Sequence, residues 1–412
     1  MLIYSQRYER SNKTMNKLTD KVTLRHGAEL NDRVVMAPMV TWGGTDTGEV
    51  TEEQLEYYAR RSQVAGMIIT EATYVDPEGI AFKGELGISN DRYLPGLKQL
   101  AQTIKSHGSK AIMQLHHGGR EAGVYYDRGG IPVVPSQMDF PFINYPVRQL
   151  TKEQIQTIIN EFAAATKRSI DAGFDGVEIH GANHYLLQQF FSAYSNQRQD
   201  EYGGTLRKRM EFELEIIDRV LEVAKKYAKQ DFIIGIRISP DEIHGKNVGF
   251  TYKENQAFIK ELNKKDLDYV HVAGNFVKGF KYVPEGASQD ITTLYKTVLN
   301  PAIKLIGCGS VFNAQDAEKA VQEADLIAIA REALIEPDFA KKIHAGHADE
   351  IISEVSPAIL PDLKWTKTLT NIIVKGEGVT GKQAKHGYVQ ALPLPNDDSI
   401  KQYQGAGFTK RF

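Results

Sequence analysis

Residues 151–179 read TKEQIQTIINEFAAATKRSIDAGFDGVEI, and this stretch decides the fold. Its first part ends at Gly173, a residue that often terminates helices because it tolerates a left-handed backbone. FDGVEI then forms a short run rich in β-formers, which indicates a buried strand. The apolar residues before Gly173 recur at the spacing of one helix face: Ile155, Ile158, Ile159, Phe162 and Ala163. The stretch therefore predicts a helix followed at once by a strand.

The same alternation continues through most of the chain. TEEQLEYYARRSQ, for example, opens at Thr51 with Glu53 and Gln54 in its first turn, which is a helix N-cap pattern. Alternating strands and helices predict a parallel sheet, and eight such units predict closure into an α/β barrel of the (β/α)8, or TIM-barrel, class. The eight predicted strands lie at 33–38, 66–70, 110–115, 174–179, 232–238, 268–273, 303–306 and 325–330.

The connections differ in length between the two ends of this barrel. Links from a helix to the next strand are short, such as QVAG and DAGFD, whereas links after strands are long at 116–150, 180–205 and 274–290. The long loops therefore collect on the C-terminal face, where barrel enzymes keep their active sites.

The ends of the chain lack this alternation. We expect an N-terminal extension at 1–17, with Met15 as a second candidate start, and a barrel at 18–346. The Pro- and Gly-punctuated tail at 347–412 is expected to be irregular and to pack on the barrel or on a neighbouring subunit.

Composition excludes several classes of protein. The formal net charge of -2 gives no reason to expect nucleic acid or a membrane as a partner. The single cysteine, Cys308, allows no internal disulfide, iron–sulfur cluster or Cys-rich zinc site. We expect a cytoplasmic enzyme with a small-molecule substrate, possible homo-oligomers and no metal.

The ends of strands 7 and 8 predict a phosphate site. Gly309 and Ser310 can present backbone N–H groups, a helix starting near Asn313 points its N-terminus there, and Arg331 offers a bidentate fork. Taken singly, Gly309 suits a tight turn and Arg331 a surface ion pair. Their position on the two strands that commonly hold phosphate favours the phosphate hypothesis.

His180, Asn183 and Tyr185 follow strand 4 and form a second candidate site at the mouth. Two neutral donors suit an oxygen that gains negative charge, and a phenol can donate a proton. Structural hydrogen bonding and packing are the alternatives for each residue alone. A metal bound by His180 and His184 with His116 or His117 is disfavoured, because adjacent strand residues point to opposite faces.

Two more polar residues belong to the predicted barrel end. Arg237 needs an anionic partner there, which is either a barrel carboxylate such as Glu178 or an anionic cofactor. Gln114 needs partners for a buried amide, which the edge of a cofactor ring would supply.

These residues together resemble the old yellow enzyme family of FMN-dependent ene-reductases, from about Leu18 to Lys342. The resemblance is carried by NDRVVMAPM, MQLHHGGR, VEIHGANHYLLQQFFSAYSNQRQDEYGGTLRKRMEF, GIRIS and GCGS with AREALIEPDF. It implies non-covalent FMN, with NADH or NADPH as donor. It also implies that the flavin contacts are Pro38, Met39, Val40, Ala72, Gln114 and Arg237, and that the phosphate contacts are Gly309, Ser310, Ala330 and Arg331. The acceptor contacts would be Trp42, His180, Asn183 and Tyr185, with the last three catalytic.

The sequence departs from the family pattern at the flavin. Val40 stands where Thr or Cys usually donates a hydrogen bond near O4 and N5, and Thr41 follows it. Ala330 stands where glycine is common, and Trp42 where one subgroup often has tyrosine.

The resemblance implies a ping-pong reaction. NAD(P)H gives hydride to flavin N5 and leaves, and hydride then passes to an α,β-unsaturated carbonyl or nitro compound, a quinone or a flavin. Tyr185 would supply the proton to an alkene. Two other hypotheses stay open, namely a flavin-free phosphate-binding lyase or isomerase and a non-catalytic flavin sensor.

Overall fold

A computed structural model describes residues 15–140, 143–273, 281–309, 311–356 and 358–375. Eight parallel strands form a closed barrel, because the first strand pairs with both the second and the eighth. The predicted TIM barrel is confirmed. Its strands are β1 Val34–Met36, β2 Met67–Tyr74, β3 Lys110–His116, β4 Gly176–Gly181, β5 Ile233–Ile238, β6 Tyr269–Val272, β7 Lys304–Cys308 and β8 Leu326–Ile329.

Helices follow the strands in order around the barrel. Thr51, Thr151 and Thr251 each cap a helix through a reciprocal capping box, and Asn313 caps another through its side chain. Within the described ranges, no helix is long and apolar enough to cross a membrane. The helices are α1 Glu52–Arg60, α2 Leu94–Lys105, α3 Lys152–Asp171, α4 Glu211–Tyr227, α5 Tyr252–Leu262, α6 Ile291–Lys296, α7 Ala314–Ala320, α8 Arg331–Ile335 and α9 Phe339–His344.

Side-chain alternation along the strands divides the core into two parts. Val177 and Ile179 of β4 belong to the large cluster between strands and helices. The opposite faces fill the barrel interior, where Ile112 and Ile233 join a second cluster. An antiparallel hairpin, Val22–Thr23 with Glu29–Leu30, packs into this inner cluster and closes the N-terminal end. Only the C-terminal end is therefore left for a site.

The predicted long loops carry small elements of their own. The first long loop contains a short helix, Gly123–Asp127, and a pair of short parallel strands, Val133–Val134 and Arg148–Gln149. The second contains helices Leu186–Phe191 and Leu206–Arg209. The third loop lies partly outside the described residues, since 274–280 are not among them.

The described part of the tail packs on the barrel. Arg61 is fully buried and donates to four carbonyls, among them those of Ala333 on α8 and Leu363 in the tail. Trp365 donates its indole N–H to Leu334 O at 3.1 Å. The boundaries proposed at 17 and 346 stay a prediction, and most of both terminal segments lies outside the described residues.

A histidine clasp holds the hairpin under the barrel. His26 Nδ1 lies 2.9 Å from Asp268, directly before β6, and His26 Nε2 lies 3.2 Å from Asp266. Burial alone would lower the pKa of His26, but the hydrogen bonds and charges of the two aspartates outweigh it and raise this pKa.

We predict that His26→Gln lowers the free energy of unfolding more at about pH 5.5 than at about pH 8.5. A histidine whose pKa is raised by folding stabilises the folded state. This stabilisation is fully present below the pKa of histidine in the unfolded chain, about 6.5, and is lost as pH rises through the pKa in the folded state. Urea unfolding of both proteins at both pH values measures the effect. His107→Gln, which alters an exposed histidine bonded to two serines, is the control. A difference independent of pH would contradict the clasp.

Candidate functional site

The inner faces of four neighbouring strands place polar side chains at the open end of the barrel. Residues that are two positions apart on a strand point to the same face of the sheet. The polar side chains on the inner face therefore form two layers. The lower layer contains Gln114, Glu178 and His271, and the upper layer contains His116 and His180. Arg237 on β5 pairs in register with both His180 and His271. The barrel geometry therefore assembles a charged floor with a histidine-lined chamber above it.

Glu178 is the centre of the lower layer. Its carboxylate is fully buried, accepts from Gln114 Nε2 at 2.7 Å and lies 2.9 Å from His271 Nδ1. Burial alone would raise the pKa of Glu178, but the charges of His271 and Arg237 and these hydrogen bonds outweigh it, so the pKa is lowered. The pKa of His271 is raised because Glu178 outweighs the opposing effect of burial. Each of the two groups therefore favours the charged form of the other.

Arg237 lies beside Glu178 and His271 but makes no direct ion pair with Glu178. Its Nε is buried and has no hydrogen-bond partner, and no ion pair to it within 4 Å occurs among the residues that the structure describes. Its positive charge still lowers the pKa of Glu178 and of His180. The alternative of a direct Arg237–Glu178 salt bridge is therefore wrong, and an anionic group beside Arg237 would satisfy the guanidinium.

Two of the three predicted catalytic residues, His180 and Tyr185, come together at the mouth. The rings of His180 and Tyr185 lie 5.1 Å apart. Burial lowers the pKa of His180 well below its usual value, with further lowering by His116, Arg237 and His271, so this imidazole is neutral. Its Nδ1 is buried and has no hydrogen-bond partner within the part of the chain that the structure describes. A neutral imidazole with an unused nitrogen suits contact with an oxygen of a bound molecule.

Asn183 is held by its backbone. It has a left-handed φ of 58°, which asparagine tolerates better than most residues. Its N–H donates to Ser239 Oγ at 2.9 Å. The next residue, His184, also has a left-handed φ, of 66°, and its N–H and C=O bond to Gln188 and Gln189. These bonds fix the turn that carries Asn183 past the end of β4.

The loop after β1 is anchored to a buried carboxylate. Glu71 accepts from the backbone N–H of Thr41 at 3.1 Å, from its hydroxyl at 2.7 Å and from Gln54 Nε2 at 2.8 Å. Burial raises the pKa of Glu71 to about 7 against these three donors. The Thr41 hydroxyl is thus committed to Glu71. Pro38, Met39 and Val40 precede this anchor and stay partly exposed, and Trp42 follows it with a left-handed φ of 52°.

A register shift in β2 decides which residue faces the chamber. The pairing with β3 is irregular between Ile69 and Ala72, and Ala72 then lies opposite Gln114. A bulge of this kind turns the following side chains over. Ala72 therefore joins Gln114 on the inner side, whereas Glu71 points outward to α1 and the β1 loop.

The predicted phosphate region is described in part. Gly309 has a φ of 98°, which suits glycine, and Asn313 caps α7 as predicted. The guanidinium of Arg331 lies 4.7 Å from the centre of the Phe312 ring, at the start of α8 directly after Ala330. Ser310 lies outside the described residues.

These features fit a flavin mononucleotide. Arg237 Nε supplies an unsatisfied positive donor at the floor, Ala72 offers a small side chain beside the Gln114 amide, and Arg331 lies at the strand 7–8 end. The individual contacts assigned to the flavin and its phosphate stay predictions.

Four functional candidates were missed or undervalued by the sequence reasoning. Glu178 and His271 could have been found from the inward phase of their strands, since a buried charge needs a partner. Glu85 and His116 form a buried pair, with His116 Nδ1 at 2.7 Å from Glu85 Oε1. The distance of 31 residues between them gave no sequence signal.

The histidines near the mouth have separate roles. His117 Nδ1 accepts from the Gly119 N–H, and burial lowers the pKa of His117 to about 4. His184 lies near Gln188 and Glu242. Among the residues described, no group of three or more His, Cys, Asp and Glu side chains is arranged to hold a metal ion.

Comparison with known sequences identifies the family. The profile of the NADH:flavin oxidoreductase / NADH oxidase family matches residues 21–350. The chain is 37% identical to the probable NADH-dependent flavin oxidoreductase YqiG of Bacillus subtilis (strain 168), over 88% of this chain and 96% of that protein. It is 39% identical to the NADH:acrylate oxidoreductase of Vibrio harveyi over 80% of this chain. The match spans only 33% of the Vibrio protein.

Solved structures of similar fold point the same way. Morphinone reductase in complex with tetrahydroNAD matches with a TM-score of 0.69 and 28% identity, over 85% of this chain and 96% of that one. The old yellow enzyme homologue from Zymomonas mobilis matches with a TM-score of 0.70 and 25% identity, over 85% and 99%.

We predict that Arg331→Ala weakens FMN binding roughly 10- to 100-fold, since a hydrogen bond to a charged group is worth about 1.5–3 kcal/mol. Arg331→Lys keeps the charge but loses the planar fork, so it should lose less affinity. Fluorescence titration of the flavin-free proteins with FMN measures this. An unchanged dissociation constant for the alanine variant would place the phosphate elsewhere.

We predict that Val40→Thr raises the flavin reduction potential by roughly 10–30 mV, because one hydrogen bond of about 0.5–1.5 kcal/mol would favour the reduced form. The Thr41 hydroxyl is held by Glu71 and cannot already fill this role. Val40→Ala, which adds no donor, is the control. A dye-equilibrated anaerobic titration gives the potential, and a fall or no change would mean that residue 40 does not face the flavin.

Proposed function

Because the chain belongs to the NADH:flavin oxidoreductase / NADH oxidase family, we propose that it reduces small electron-poor acceptors with NADH or NADPH. The resemblance to old yellow enzymes is confirmed, as are the oxidoreductase class and, at the level of the family, FMN and a nicotinamide donor. Bound FMN supplies the two-electron carrier between donor and acceptor. The donor and the acceptor would enter the same chamber in turn, which is a ping-pong sequence.

The observation that carries this proposal is the neutral His180 beside the positive charge of Arg237. Its buried Nδ1 has no partner among the described residues, although an unsatisfied buried polar atom costs about 1–3 kcal/mol. A bound acceptor oxygen would satisfy this imidazole, and Asn183 would supply a second contact. Donors placed where negative charge develops stabilise the transition state more than the ground state. They therefore lower the barrier to reaction.

Tyr185 is the proton donor in this proposal. Its ring lies against those of His180 and His116, at 5.1 and 4.3 Å. Reduction of an activated alkene needs hydride on the β-carbon and a proton on the α-carbon, and a phenol beside the bound acceptor can supply the proton.

The acceptor is proposed only as a class. An α,β-unsaturated carbonyl or nitro compound suits the His180–Asn183–Tyr185 arrangement, and quinones or flavins need no proton on carbon. The Vibrio relative is named for acrylate, but this chain matches a third of it, so acrylate is one acceptor to test. A flavin-free lyase is incompatible with the family, and the cytoplasmic location and homo-oligomer stay predictions.

The decisive experiment is an anaerobic titration of the yellow holoenzyme. NADH and NADPH should bleach the flavin absorbance, and cyclohexenone, acrylate or a quinone should restore it. Bleaching without restoration by any alkene would limit the function to a quinone or flavin reductase. A yellow protein that neither nicotinamide bleaches would be the flavin-binding sensor.

We predict that Tyr185→Phe leaves flavin bleaching by NAD(P)H unchanged but slows alkene reduction about 100-fold or more, since only the second step needs a proton on carbon. Rapid mixing measures each half-reaction separately. Tyr194→Phe, a phenol in the separate loop cluster, is a matched control. Equal slowing of both steps would contradict the assigned role.

A further inference from the structure

The pair formed by Glu85 and His116 is built as a unit. Glu85 is buried, and its Oε2 accepts from the backbone N–H groups of Ala81 at 2.7 Å and Phe82 at 3.0 Å. Its other oxygen lies 2.7 Å from His116 Nδ1. Both carboxylate oxygens are therefore in use, and the carboxylate has a fixed position and direction.

This arrangement orients the imidazole of His116. Nδ1 carries the proton that points at Glu85, so Nε2 faces the opposite side of the ring. His116 is fully buried, and its Nε2 has no hydrogen-bond partner in the described ranges. A carboxylate-backed imidazole suits proton transfer at its other nitrogen.

The imidazole of His116 lies in the acceptor chamber, among three other rings. The ring of Tyr185 meets it edge to face with centroids 4.3 Å apart, and the ring of His180 lies 5.5 Å away. Phe82, whose N–H holds Glu85, closes the third side at 6.3 Å. His117, the next residue along the chain, is another titratable neighbour. Among these groups, Tyr185 is the one in closest ring contact with His116.

We propose that His116, held by Glu85, returns a proton to Tyr185 during turnover. This inference rests on the proposed function, since it assumes that Tyr185 protonates an alkene. Tyr185 gives its phenolic proton to the α-carbon and becomes a phenolate. The O–H bond is then restored by the proton on His116 Nε2, and His116 becomes neutral with Nδ1–H still on Glu85. A solvent proton recharges His116 when the product leaves, so protons balance over each cycle.

His116 acts through Tyr185 and is therefore a positioning and relay residue. The alternative is a purely structural role as the side wall of the chamber. The two roles differ in which acceptors depend on the residue. Ferricyanide takes electrons without a proton on carbon, so its reduction does not need Tyr185 or its relay.

The test compares rapid-mixing kinetics of the wild-type holoenzyme, His116→Gln, Glu85→Gln, Tyr185→Phe and the double variant His116→Gln/Tyr185→Phe. His116→Gln should slow cyclohexenone reduction by about tenfold or more, and leave bleaching by NADH and reoxidation by ferricyanide unchanged. Glu85→Gln should slow the alkene step in the same direction. The double variant should be no slower than Tyr185→Phe alone, because the two residues act in one pathway.

Several results would overturn the relay. The first is a normal rate of alkene reduction in His116→Gln. The second is an equal slowing of alkene reduction and of reoxidation by ferricyanide in that variant. The third is a double variant in which the rate losses of the two single variants add. His117→Gln, at the adjacent buried histidine, is the matched control and should behave as wild type. If His116→Gln loses flavin, the test of the relay uses Glu85→Gln in its place. The kinetics of Glu85→Gln alone and of the double variant Glu85→Gln/Tyr185→Phe are then compared with those of Tyr185→Phe. A wild-type protein that NADH does not bleach would instead reject the proposed function, and one that is bleached but reduces no enone would reject the relay.

Discussion

The compensated charge of Glu178 is the constraint on which the open end of the barrel depends. A carboxylate with no solvent exposure is tolerated only when its charge is matched and both oxygens are bonded. Gln114 and His271 supply the bonds from the two sides, and Arg237 adds a positive charge without a direct contact. Arg237 therefore brings to the floor a positive charge with no carboxylate in direct contact among the described residues, and that charge suits an anionic cofactor.

The chamber above the floor is shaped by loops that are fixed elsewhere. Glu71 binds the β1 loop through Thr41, and the tail reaches the same place because Thr366 Oγ1 donates to the Thr41 carbonyl at 2.5 Å. Gln54 on α1 joins this network. Residues near the C-terminal end of the described chain therefore help to position Val40 and Trp42, which lie far away in sequence.

Two histidines at the mouth have different electrostatic settings although their rings are close. His180 has no carboxylate partner among the residues described, and burial and neighbouring positive charge keep it neutral. His116 has Glu85 at 2.7 Å. A neutral imidazole suits binding of an acceptor oxygen, and a carboxylate-backed imidazole suits proton transfer. We infer that this difference separates binding from proton supply within one small chamber.

Much of the fold was predictable from the sequence because it depends on local periodicity. The stripe from Ile155 to Ala163, the capping residues Thr51 and Thr151, and Gly173 are all local signals, and each behaves in the structure as its pattern indicates. The same holds for the inward position of Gln114 and His180, which follows from strand phase. The sequence could also place Arg331 and Gly309 at the ends of neighbouring strands.

Long-range pairing was decided only by the tertiary structure. Glu85 and His116 come from different loops and strands, and no local pattern joins them. The irregular register in β2 turns Ala72 inward and Glu71 outward, which strict alternation would have reversed. Glu178 was one predicted partner of Arg237, but in the closed barrel the Glu178 carboxylate contacts His271 instead. The sequence by itself determined the elements, the barrel and the end that carries the site, because these depend on neighbours along the chain. Which charges meet, and which donors stay free, depends on how eight strands close on each other, and only the folded barrel decides it.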